Sequence, residues 1–206
     1  MLNKQSWSEK IIKVPGIGVI IEIASDYVCE GAFDHFGKIP PFRFWLKSLG
    51  WPVALSLFFA FLPLPCDCIT SPIKIDAKAF DVAFAIIPSL LGFGIGAYAL
   101  VFGLGSDILR KIQDAHVTHA SKTGKASASV LHINSVFAFP LLLMAVTLFF
   151  ASLQKIFQAN VSLSTATWFL MFFSVALTFQ LVVSLYRLGQ VIILEKLSED
   201  SKIKNP

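Results

Sequence analysis

Charge is what this chain has least of. Asp, Glu, Lys and Arg make up 15 % of its 206 residues, while hydrophobic residues make up 55 %. A mean hydropathy of +0.71 exceeds what a soluble domain of this length shows. Catalytic signatures are missing too. There is no Gly-x-Ser-x-Gly, no His-Glu-x-x-His and no phosphate-binding loop, so we expect no enzyme and no cofactor. Histidine is rare: His116 and His119 stand at a ligand spacing for a helix, but only Asp114 is near to complete a set, and no metal site is expected. Cysteine is confined to Cys29, an ordinary reduced thiol, and to Cys66-x-Cys68. One intervening residue bridges poorly and is the wrong spacing for a thioredoxin-type centre. Inert thiols are the preferred reading, and a bridge between two copies in an oxidising compartment is the other. A basic surface interleaved with aromatic residues is absent, so direct nucleic-acid binding is not expected.

Apolar runs are what the chain has instead. Four of them, roughly 49–65, 80–104, 130–152 and 165–186, place 14 of the 17 Lys and Arg residues in alternate hydrophilic segments. One group, from Lys4 to Lys47, precedes the first run. Arg110, Lys111, Lys122 and Lys125 follow the second, and Arg187, Lys196, Lys202 and Lys204 follow the fourth. Basic residues beside membrane spans stay cytoplasmic. The fold class expected is therefore all-α: a polytopic membrane protein with four transmembrane helices in the bacterial inner membrane, both termini inside. Residues 1–48 form a cytoplasmic or interfacial N-terminal arm, 49–186 the bundle with cytoplasmic loop 105–129, and 187–206 a cytoplasmic tail. Lys13, Pro15 and Glu22 interrupt the first apolar patch, against a cleaved signal peptide. The first run is the weakest: between Trp51 and the Pro63-Leu64-Pro65 break it is short, so it must borrow from 44–50 or thin the bilayer. The fourth has Trp168 and Tyr186 near opposite ends, as an interfacial belt requires, and its helical pattern runs on through 191–197 as a stem.

Inside the spans the most specific feature is a stripe of small residues on the second. Ala85, Gly92, Gly96, Ala99 and Gly103 keep to a narrow helical face, and Gly92-x-x-x-Gly96 is a close-approach motif for helix pairing. Packing within the chain is the preferred reading, with packing between subunits next and a glycine-lined pore last. Pro88 and Pro140 remove backbone donors; a kink repaired by neighbours is preferred over a gating hinge. Mid-depth charge is nearly absent. Gln180, with Thr178 beside it, is the candidate intramembrane polar site, read first as an interhelical hydrogen bond and second as the lining of a constriction.

Outside the spans the arm is the most informative. A helix from Pro15 puts Ile17, Ile20, Ile21, Ala24 and Val28 on one side, with Glu22, Asp26, Glu30 and Asp34 recurring every four residues beside them. Acids disfavour an anionic lipid surface, which points to protein docking, shared with Arg110 and Lys111 of the central loop. Carboxylates solvated or paired with nearby lysines are the alternative. The segment 40–47 reads as an interfacial anchor.

In layout the chain resembles the small four-helix membrane subunit of bacterial Kiwa anti-phage systems. The shared features are an amphipathic arm, the Pro63-Leu64-Pro65 break, the Gly92–Gly96 helix and a short basic tail. The resemblance implies an inner-membrane homo-oligomer that senses infection and docks a cytoplasmic partner acting on nucleic acid. The expected function is an oligomeric sensor and scaffold in contact with the lipid bilayer that recruits a soluble protein. A homo-oligomeric ion channel or pore-forming effector is the alternative.

Overall fold

The structure, a computed structural model, describes residues 17–29, 40–61, 77–103 and 130–204. Every regular element among them is an α-helix: α1 (Ile17–Val28), α2 (Phe42–Phe61), α3 (Ala79–Gly103), α4 (Val130–Ile156) and α5 (Val161–Lys204). Four stretches are long and apolar enough to cross a membrane: Phe42–Phe61, Ala79–Gly103, Ile133–Ile156 and Val161–Gln190. The expected all-α, four-span architecture is what the chain adopts. Helices suit this sequence because a backbone in lipid must satisfy its own donors and acceptors.

The ends of the helices differ from the sequence reading in instructive ways. The first span begins at Phe42 rather than 49. Pro40-Pro41 starts it, since proline fixes φ and lacks an N–H that a first turn would leave unpaired anyway. The Phe44 N–H donates to the Pro41 carbonyl at 3.0 Å, and the Trp45 indole N–H to the Pro40 carbonyl at 3.3 Å. Residues 42–47 of the expected anchor are thus the opening turns of α2. Its 20 residues supply about 30 Å, the thickness of the hydrocarbon layer. The Pro63-Leu64-Pro65 break lies outside the described residues. At the other extreme, α5 starts at Val161 behind an Asn160 cap, whose Oδ1 accepts the Leu163 N–H at 3.1 Å. It then runs unbroken to Lys204, so the stem is longer than the pattern through 197 had suggested.

Around the bundle, α5 packs on α2, α3 and α4, α3 packs on α4, and α1 packs on α4 and α2. The turn at 157–160 makes α4 and α5 antiparallel neighbours. At the end far from the stem, Phe80, Ala83 and Ile87 meet Met144, Ala151 and Met171. Lys78 and Lys155 place their ammonium groups 5.8 and 5.7 Å from the rings of Phe80 and Phe84 there, as snorkelling lysines do at a membrane boundary. At the stem end Val101, Phe137 and Leu181 form a third contact region, and the Tyr98 hydroxyl donates to Asn134 Oδ1 at 2.9 Å. The helices α2, α3 and α4 pass unbroken through Pro52, Pro88 and Pro140.

The small-residue stripe corrects the preferred expectation. Helix α3 buries Ala79, Phe80, Ala83, Ile87, Gly94 and Val101, whereas Ala85, Gly92, Gly96, Ala99 and Gly103 are all exposed. A Cβ built on Gly92, Gly96 or Gly103 would meet nothing within 4 Å. Each stripe residue sits two positions from a buried one, which is about 200° around the helix. The glycine that does meet its own chain is Gly94, where a Cβ would lie 2.6 Å from Leu141 Cδ2 and 4.0 Å from Leu181 Cδ2. Intrachain packing of α3 therefore rests on Gly94, and the stripe turns away from it. We predict that Gly94→Leu destabilises the detergent-solubilised protein by about 1–3 kcal/mol through overpacking. Gly92→Leu should stay within about 0.5 kcal/mol of wild type. Thermal unfolding of both variants at matched detergent concentration checks the contrast.

Candidate functional site: the seat of the N-terminal arm

Helix α1 does not lie flat on a surface. Its buried residues Ala24, Tyr27 and Val28 join Leu49 of α2, Phe139 of α4, and Phe173 and Leu177 of α5 in one cluster. The Tyr27 ring lies 4.7 Å from that of Phe139, tilted by 32°. Its hydroxyl donates to Gln180 Oε1 at 2.6 Å. Gln180 sits ten residues inside Gln190, where the apolar stretch of α5 ends, a depth of about 15 Å at 1.5 Å per residue. The tip of α1 thus reaches well into the apolar layer. At 12 residues, or roughly 18 Å, it is too short to cross.

The buried face differs from the one expected. Ala24 and Val28 are buried, but Ile20 is 40 % exposed while Ser25 and Tyr27 are buried. The face is turned because Tyr27, the largest side chain on α1, takes the position between α2, α4 and α5. Glu22 is exposed and Asp26 half-buried. Glu30 and Asp34, like Arg110, Lys111, His116, His119, Cys66 and Cys68, lie outside the described residues.

Polar satisfaction separates this seat from the α4–α5 seam behind it. In the seam the Thr147 hydroxyl donates to the Leu143 carbonyl at 2.8 Å, leaving Ser174 Oγ, also 2.8 Å away, to donate to Thr147. The Thr178 hydroxyl donates to the Ser174 carbonyl at 2.8 Å. Thr178, half of the expected polar site, therefore turns to its own helix, while Gln180 reaches the arm. In the seat, Ser25 Oγ is buried with no partner. An orphaned hydroxyl costs about 1–3 kcal/mol, and a hydrogen bond between helices in a membrane gains about 0.6 on average. The Tyr27–Gln180 bond does not outweigh that cost alone, so the apolar contacts hold the arm. The other orphaned atom among the described residues, Gln154 Oε1, belongs to the far end of α4.

Burial, reinforced by Glu22, raises the Asp26 carboxyl above its ordinary 3.8. Burial, reinforced by Asp26, raises the Cys29 thiol. Among the described residues no group of three His, Cys, Asp or Glu could hold a metal ion. Sequence reasoning singled out Gln180 but missed Tyr27, Thr147 and Gly94. Only a contact between elements more than a hundred residues apart distinguishes Tyr27 from any other aromatic residue on an amphipathic helix.

No protein-family model, no curated protein and no solved structure matches the chain.

The Asp26 environment has a pH consequence. A carboxyl whose folded-state pKa is raised contributes stability that is complete below its unfolded pKa and is lost as pH rises through the folded value. We predict that Asp26→Asn raises the thermal midpoint at about pH 7 and that the gain shrinks as the pH approaches 4. Fluorescence of Trp45, which packs beside the arm, follows the transition.

Proposed function

We propose that this protein is an oligomeric inner-membrane sensor and scaffold that recruits a soluble cytoplasmic partner, in the anti-phage setting that the resemblance to Kiwa membrane subunits implies. The observation that carries the reading is the outward face of α3, where Ala85, Gly92, Gly96, Ala99 and Gly103 offer open space to a second copy. Small residues let two backbones approach, and in lipid that proximity supplies the attraction. The continuous stem, 191–204 of α5, adds roughly 21 Å of helix beyond the apolar stretch. It gives a partner a surface away from the headgroups, beside the exposed Glu22 of α1, and the acids Glu30 and Asp34 and the bases Arg110 and Lys111 are the further docking residues of the reading. Low charge along the spans favours a scaffold over an ion-conducting pore, which usually displays charged or carbonyl rings.

Three measurements test this. Gly92→Leu with Gly96→Leu should reduce cross-linked oligomer in native membranes at least several-fold without lowering the monomer's thermal midpoint; unchanged oligomer removes α3 from the interface. Purified protein in liposomes should pass no ions above background, and appreciable flux would replace the scaffold with a channel. Glu22→Lys with Glu30→Lys should abolish copurification of the soluble partner from native cells, and retained copurification takes the arm out of the docking surface.

A further inference from the structure

We propose that α1 is a reversible re-entrant wedge, seated between α2 and α4, latched to α5 by the Tyr27–Gln180 hydrogen bond, and able to withdraw while α3, α4 and α5 stay packed. This goes beyond the scaffold reading and holds whether or not a partner is recruited. Four observations point to it. First, α2 packs broadly on α5, and it is α1 that ties it to α4, through Ala24, Tyr27 and Val28 against Leu49 and Phe139. The wedge fills a gap between two spans rather than forming part of the three-helix core. Second, among the described residues α1 is latched to a span by the 2.6 Å bond from Tyr27 to Gln180, where the α4–α5 seam has a chain of such bonds. Third, the seat buries the Ser25 hydroxyl without a partner and half-buries Asp26, two groups that water would satisfy and the seat does not. Fourth, a helix of 12 residues is marginal alone and takes its stability from what it packs against, so it leaves as a unit. Withdrawal uncovers Gln180, Phe139, Phe173 and Leu177 as an open cleft facing the lipid, and frees the tip of α1 to move toward water.

The chain carries its own reporter. Cys29 follows α1 directly and is 6 % exposed, so its thiol reacts only when the arm moves. In full-length protein with Cys66→Ser and Cys68→Ser, reconstituted in liposomes, alkylation of Cys29 by N-ethylmaleimide is timed by mass spectrometry. It is compared with a cysteine placed by Ala151→Cys, a position that is 0 % exposed in the α3–α4–α5 core. The expected result is that Cys29 is modified at least tenfold faster than the core cysteine, against the bias of its raised pKa. Tyr27→Phe and Gln180→Leu should each accelerate Cys29 about threefold more, the change that losing one hydrogen bond between helices in a membrane gives. The double variant should add little, because both changes remove the same bond. The core cysteine should keep its rate throughout. If Cys29 and the core cysteine react together in every variant, the arm opens only by global unfolding and the proposal falls. It falls equally if Tyr27→Phe and Gln180→Leu leave the Cys29 rate unchanged.

Discussion

The bundle depends on how α5 meets its neighbours without help from water. Among the described residues it is the helix against which α2, α3 and α4 all pack, and in lipid that packing must come from close van der Waals fit and satisfied polar groups. Thr147, Ser174 and Thr178 provide the second at the centre of the α4–α5 seam. Leu141 and Leu181 over Gly94 provide the first against α3. Both use small or short polar side chains, because bulk would hold the backbones apart. Larger side chains fill the ends, with Trp168 stacked on Phe172 and Tyr98 against Phe102.

The arm obeys a different rule. It brings an acid, a hydroxyl and a phenol toward an apolar layer, and among the described residues the phenol finds a partner in Gln180 while the Ser25 hydroxyl finds none. Polar residues at depth are expensive and mark function more often than structure. The chain places them on a short helix that can be removed, and leaves its permanent spans almost free of charge. That division separates what must be stable from what can respond.

Much of the architecture was legible because hydropathy and length nearly determine a span. Residues 80–104 differ from α3 by a single position at each end. Boundaries failed where local chemistry overrode the apolar run: Pro40-Pro41 started α2 early, and Asn160 set the start of α5. The orientation of the α3 stripe was beyond a single sequence, since both faces of α3 are apolar and small residues suit either an inner or an outer contact. Gly94 lies within the same Gly-rich string as Gly92 and Gly96, yet it points the other way. Gln180 was legible as a residue needing a partner, but not which partner. Its hydroxyl donor lies 153 residues earlier in the chain.

An unbroken rod also works as a lever. From Ser174, bonded into the seam, to Lys204 at the end of α5 is about 45 Å of helix. A tilt of roughly 10° at the seam, the scale of a small helix repacking, would carry the tip about 8 Å sideways. Sub-ångström adjustments deep among the spans would then arrive at the far end magnified into a displacement that another molecule could feel.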